Sequence, residues 1–206
     1  MCRLIETIRI ENGEPSLLPY HQERLSRSQA TLFDIKEPCN LEKHLSSMSL
    51  PQNGLWKCRI TYHTEIEKTE FEPYQRKSIQ ALQVVEANDI DYEYKFAQRN
   101  AINHLFQKKE NADDVLIIRN NLLTDSSYCN IALWNGHDWI TPLYPLLKGV
   151  RRESLIQSGK VKTDKIGLND LSSFQSFKLF NAMISFEEAN EISTSFIFLI
   201  NSRRKR

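Results

Sequence analysis

The chain opens on an alternation of apolar and polar side chains, "RLIETIRI" at residues 3–10, the period of a strand, and "ENGEP" turns it. From Pro19 the period lengthens to that of a helix, with Leu25, Ser28, Leu32 and Phe33 on one side of "PYHQERLSRSQATLF". "NLEKHLSSM" predicts a second helix with Asn40 as its cap. "LWKCRITYH" and "KTEFEPY" predict a strand pair, and "SIQALQVVEA" a further strand. Residues 89–95, "DIDYEYK", carry no periodicity. A helix is expected over "AQRNAINHLFQKKENAD", burying Ala101, Leu105 and Phe106, and then a short apolar strand, "DVLIIR". Ile131 and Leu133, then Trp139 and Thr141, alternate around Asn135-Gly136, a strong hairpin signal. "PLLKGVRRESLIQSG" passes from loop to helix near Gly149, and Gly159 is placed to end that helix. "SFKLFNAMISF" and "STSFIFLI" read as closing strands. Together these elements predict an α+β fold in two unequal parts. Residues 1–88 form a small N-terminal α/β part, and residues 89–206 a larger part around a curved or barrel-like sheet.

Composition narrows the function. The chain has 206 residues, 40% hydrophobic and 26% charged, and can bury a sizeable core. Its net charge of +1 argues against electrostatic capture of nucleic acid or of a membrane surface. The basic end, "NSRRKR", reads as a solvated terminus rather than a DNA-binding tail, because no other basic face accompanies it. Cys2, Cys39, Cys58 and Cys129 form no CxxC pair, so neither a metal site nor a disulfide framework is expected. "MCRLIETIRI" lacks the apolar run of a signal peptide, and no segment approaches the roughly 18 apolar residues of a membrane span. A cytoplasmic setting is expected.

Candidate chemistry lies in a few places. In "LLTDSSYCNIALW" a strand is preceded by Asp125, two serines, a tyrosine, a cysteine and an asparagine, none of which a core needs. Lys95 follows Tyr92, Glu93 and Tyr94, where aromatic neighbours can desolvate an amine and lower its pKa. Gly149 lets the backbone approach an anion, and the N–H groups of Val150 and Arg151 stand at a helix N-terminus, a ready phosphate site. His21, Arg24 and Ser28 share one helix face, either an anion-binding face or a solvated stripe. Arg59 shares its strand face with Lys57 and Thr61, with Tyr62 on the other; it binds a substrate carboxylate if that face lines a pocket.

Taken together and in order, these segments resemble the class IV (fold type IV) family of pyridoxal-phosphate enzymes. That family holds branched-chain and D-amino-acid aminotransferases and 4-amino-4-deoxychorismate lyase. "ETIRIENGEPSLLPYHQERLSRS" is similar to its first strand, turn and His-x-x-Arg helix, and "YKFAQR" to its Lys-x-x-x-Arg motif. "NADDVLIIRNNLLTDSSYCNIALWNGHDWITP" is similar to its central hairpin, and "LLKGVRRESL" to its phosphate loop. The resemblance implies pyridoxal 5'-phosphate as cofactor, bound covalently by Lys95, whose freed amine then moves the proton off the substrate's alpha carbon. It implies that Arg24 and the Val150 and Arg151 amides past Gly149 hold the phosphate, with Arg99 in support. Asp125 takes the place of an acid, usually Glu, that holds the pyridine nitrogen. "FNAMISF" and "IETIRIENGEPSLL" resemble the lyase more than the aminotransferases. On that likeness Asn181 contacts the phosphate side and Thr7 assists proton transfer. The implied reaction is removal of pyruvate from aminodeoxychorismate, leaving 4-aminobenzoate for folate synthesis. The alternatives are a branched-chain or D-amino-acid transaminase, and a non-catalytic family member. The last is motivated by Asp125 and by the absence of the hairpin that commonly leads the family's first strand. A small amino substrate and a homodimer are the partners the resemblance implies.

Overall fold

The structure, a computed structural model, describes residues 2–199; the basic cluster of "NSRRKR" lies outside them. Two sheets organise the chain. The smaller is antiparallel, in the order β2-β1-β3-β4, from β1 (Leu4–Glu11), β2 (Glu14–Pro15), β3 (Leu55–Tyr62) and β4 (Ile66–Pro73). Between β2 and β3 lie α1 (Leu18–Phe33) and α2 (Leu41–Ser46), the latter capped by the Asn40 side chain, which accepts from the Lys43 amide. Leu4, Ile8 and Ile10 of β1 pack with Leu25 of α1 and with Cys58, Ile60 and Tyr62 of β3. Strand alternation turns Ile5, Thr7 and Arg9 to the other face, where Thr7 stands opposite Arg59 and Arg9 opposite Lys57.

The larger sheet is mixed. It contains β5 (Leu82–Glu86), β6 (Asp114–Arg119), β7 (Leu122–Ser126), β8 (Asn130–Trp134), β9 (Trp139–Pro142), β10 (Lys162–Asp164), β11 (Ser176–Phe180), β12 (Glu191–Ser193) and β13 (Ile197–Phe198). Its main path runs β10-β9-β8-β7-β6-β5-β13, and β11 branches from β8 to carry β12. Two helices, α3 (Asn100–Phe106) and α4 (Val150–Gln157), complete it. This is the expected α+β architecture, with a small antiparallel sheet and a larger mixed one. β5, expected within the first part, pairs with β6 and β13 and so belongs to the larger sheet. Leu82, Gln83, Val84 and Val85 are all buried, as in a strand covered on both faces.

Several element boundaries differ from the sequence expectation, each for a local reason. On α1 the buried stripe is His21, Arg24, Leu25, Ser28 and Gln29, and Leu32 is exposed. Leu32 falls on the same stripe, seven residues after Leu25, but lies in the last turn of the helix, while Gln29 at the stripe's edge is held by hydrogen bonds to the Cys39 amide and the His63 and Thr64 carbonyls. Helix α3 begins three residues later than expected and buries Ile102 rather than Ala101. Its would-be first turn is extended instead: the Ile5 amide donates to the Lys95 carbonyl at 3.0 Å and the Ala97 amide to the Arg3 carbonyl at 2.8 Å. "FNAMISF" continues β11 for one residue only, because the Asn181 side-chain oxygen accepts from the Met183 and Ile184 amides and folds the chain into a turn. Within "STSFIFLI", Ser193 ends β12, Thr194–Phe196 form a 3-10 turn and Ile197–Phe198 a two-residue strand.

The two sheets are joined by an ion pair. Arg9, 5% exposed, donates to both carboxylate oxygens of Glu188, at 2.6 and 2.8 Å, and to the Met183 carbonyl. The Arg9 hydrogen bonds hold Glu188 down to about 2, from an ordinary 4.5. Its stabilisation is therefore complete above pH 4.5 and is lost as pH falls toward 2. Glu188→Gln is expected to flatten this acid limb of the stability curve and to cost about 1 kcal/mol at neutral pH, since the carboxylate is partly solvated. Denaturant unfolding between pH 2 and 7 measures both.

Candidate active site

A cavity of about 630 Å³ lies where the Thr7–Arg59 face of the small sheet meets the β7–β8 turn and the start of α4. That volume is ample for a cofactor and a small substrate together. Arg24, Lys57, Arg59, Lys77, Lys95 and Arg99 are among its walls, against Asp113 and Asp125. The excess of positive charge suits an anionic ligand.

Lys95 reaches the cavity from the extended segment that pairs with β1. Burial lowers its pKa to about 7; the Arg24 and Arg99 charges push the same way, and Glu6 opposes them. That shift favours the free amine, the form that attacks a carbonyl and accepts a proton, far below the pH at which an ordinary lysine releases it. Arg24 borders the cavity from α1 while Glu6 holds it from behind: Nε donates to Oε1 at 2.9 Å and Nη2 to Oε2 at 2.5 Å. Nη1 has no partner among the described residues and is not enclosed. His21 and Ser28 do not line the cavity; His21 bonds Glu6, and Ser28 donates back to the Arg24 carbonyl.

Asp125 stands at the end of β7, paired across the turn with Asn130. Its Oδ2 accepts from the Leu147 amide at 2.9 Å and its Oδ1 from the Asn130 side chain at 2.7 Å. Burial raises the Asp125 pKa to about 6, against the pull of those two donors and of Arg152. A buried carboxylate in that condition gains by meeting a cation, such as a protonated ring nitrogen. Asn130 also donates to the Leu147 carbonyl at 3.0 Å, and so ties the acid to the loop before α4. That loop needs glycine at position 149 for space, since a Cβ there would lie 2.0 Å from Asn130 Oδ1. The consequence is a bare backbone beside the Val150 end of α4, whose first N–H groups have no partner within the helix. Acid, loop and helix start are one assembly.

Thr7, Arg59, Arg99, Asn181 and Val150 also border the cavity. Arg99 donates to the Ser127 carbonyl and so fixes the β7–β8 turn to the start of α3. The Asn181 amide is committed to the Tyr128 carbonyl and Cys129 Sγ, so the residue shapes this wall through the turn it closes. The Arg151 side chain turns away to the Ala182 carbonyl at 3.4 Å, leaving only its backbone on the helix start. Two residues that matter here were assigned no bonding role from the sequence. Asn130 stood out only as a polar residue before the expected strand and carried no spacing signal. Glu6 did carry one: it is the charged residue on a strand face that otherwise holds Leu4, Ile8 and Ile10.

The donor set fits pyridoxal phosphate: a desolvated amine, an unpaired guanidinium nitrogen, a helix start and a buried acid all border the one cavity. Replacing Gly149 by alanine is expected to displace Asn130 and cost about 1–3 kcal/mol in denaturant unfolding. Adding Asn130→Ala should restore part of that loss, a non-additivity that unrelated defects would not show.

Comparison with known proteins agrees with this geometry. The family model for amino-transferase class IV matches residues 3–192. An uncharacterised protein of Haemophilus influenzae is 37% identical over 186 residues, 89% of this chain and 98% of that one. A solved structure from Haemophilus somnus, provisionally described as a 4-amino-4-deoxychorismate lyase, superposes with TM-score 0.85 at 33% identity, covering 90% of this chain and 98% of that one. A provisionally described amino-acid aminotransferase of Mesorhizobium loti gives TM-score 0.79 at 20% identity, covering 97% and 100%. A hypothetical aminotransferase of Mycobacterium tuberculosis in a pyridoxal-phosphate-bound form gives 0.73 at 16%, covering 96% and 81%, and shares the fold. With the family's motifs in order and its fold type IV architecture around this cavity, the chain belongs to the class IV aminotransferase family.

Proposed function

We propose that the protein is a pyridoxal-phosphate-dependent 4-amino-4-deoxychorismate lyase, releasing pyruvate and 4-aminobenzoate. The observation that carries the reading is the convergence of Lys95, Arg24, Asp125 and the Gly149–Val150 backbone on one cavity. The 33% identity to the Haemophilus somnus protein supports the choice of lyase.

In this reading Arg24 Nη1 and the first N–H groups of α4 hold the phosphate, and Asp125 meets the pyridine nitrogen. The bound cofactor supplies an electron sink for charge left on the substrate's alpha carbon. Lys95, whose pKa burial lowers, would bind the cofactor and then carry the proton. Thr7, across from Arg59 on the cavity face, would pass that proton onward in this reading. Arg59 is without an internal partner among the described residues and borders the cavity; it takes a substrate carboxylate. Assembly as a homodimer in the cytoplasm belongs to the same proposal.

A transaminase would use the same lysine and sink, and the Mesorhizobium loti likeness keeps that reading in view. Assays separate the two. The lyase reading expects 4-aminobenzoate and pyruvate in equal amounts from aminodeoxychorismate, with no 2-oxo acid required. Amino-group transfer between an amino acid and a 2-oxo acid, with no 4-aminobenzoate, would establish the transaminase instead. Thr7→Val is expected to lower kcat by roughly 10²-fold with little change in KM, as loss of a proton-transfer group does.

A further inference from the structure

Glu6 is fully buried on the α1 side of β1, behind the cavity rather than in its lining. Both of its oxygens are committed. Arg24 takes them with Nε and Nη2, at 2.9 and 2.5 Å, and His21 Nδ1 lies 2.5 Å from Oε2. A two-point pairing along one edge of a guanidinium fixes its plane and leaves the third nitrogen pointing away from the acid. Here that nitrogen is Nη1, and Arg24 is a wall of the cavity.

The charges around the pair are few and opposed. Glu6 is faced by Arg24, His21 and the Tyr62 hydroxyl. Lys95 is faced by Arg24, Arg99, Glu6, His21 and Cys129, with Asp125 on the same cavity. Burial pushes His21 down, so it is neutral at pH 7 and donates Nδ1–H to Glu6. Glu6 and Arg24 then cancel, and removing Glu6 would leave a bare guanidinium beside the lysine.

We propose that Glu6 is a positioning residue: its fork aims Arg24 Nη1 at the anionic end of the ligand, and its charge shields Lys95 from that same guanidinium. This rests on the cavity being the pyridoxal-phosphate site. The test compares pyridoxal phosphate with pyridoxal, the same ring and aldehyde without the phosphate, by absorption titration of wild type, Glu6→Gln and Glu6→Asp. In Glu6→Gln the phosphate-bearing ligand should bind roughly tenfold more weakly while pyridoxal changes by no more than about twofold. The midpoint of the pH profile for reaction of Lys95 with pyridoxal should move down, because the unscreened guanidinium disfavours the ammonium. Glu6→Asp keeps the charge but not the reach. It should lose phosphate preference with the midpoint unchanged, and it answers the question if Glu6→Gln does not fold. Equal weakening for both ligands, or retained phosphate preference in Glu6→Asp, overturns the proposal. If wild type reacts with neither aldehyde at Lys95, the cofactor reading falls and this one with it.

Discussion

The buried carboxylate of Glu6 is the constraint around which the active half of this molecule is arranged. Burial alone would raise its pKa; Arg24 and His21 reverse that and hold it at about 2. Removing one partner of such a pair leaves an uncompensated buried charge and typically costs about 3–5 kcal/mol. β1 and α1 are therefore locked in one relative placement, since a shift of either would break the fork. Once β1 is fixed, its exposed edge can take only the Lys95 segment, through the amide of Ile5 and the carbonyl of Arg3. The guanidinium and the amine that the site needs are thus set by the same strand.

The larger sheet supplies the opposite wall by a different device. The tight turn between β7 and β8 places Asp125 and Asn130 side by side, and both reach the loop before α4. Arg99 closes the circuit by binding the turn from the start of α3. The Arg9–Glu188 pair then holds the two sheets at the separation that leaves the cavity between them. Glycine at 149 shows how little slack remains, because a single methyl would meet Asn130. Both Asp125 oxygens are occupied, by the Leu147 amide and the Asn130 side-chain amide.

Much of this was legible in the sequence where a local rule decides. The Asn40 cap, the Asn135-Gly136 turn, the β3–β4 pair and the Arg59 face follow from periodicity and turn chemistry. Errors arose where long-range hydrogen bonds override local preference. Ala97 was expected to open a helix but is claimed by the Arg3 carbonyl beside β1. Leu32 looks buried and shares the stripe of Leu25 and Ser28, but it lies in the last turn of α1 and is exposed. β5 sits in the larger sheet because its partners, β6 and β13, lie later in the chain. In the site, Lys95, Arg24, Asp125 and Gly149 were visible through motif order, whereas Asn130 acts only through contacts that no spacing encodes. The Arg151 backbone was read beside the phosphate loop, and its side chain reaches the Ala182 carbonyl.

The central claim is that Lys95 is the amine that binds the cofactor, and peptide mapping after borohydride reduction tests it most directly. The protein is mixed with pyridoxal phosphate at pH 7, reduced, digested and analysed by mass. The account expects one phosphopyridoxyl adduct, on the peptide that contains Lys95, and none on that peptide in Lys95→Ala. An adduct spread over surface lysines, or none at all, would contradict it.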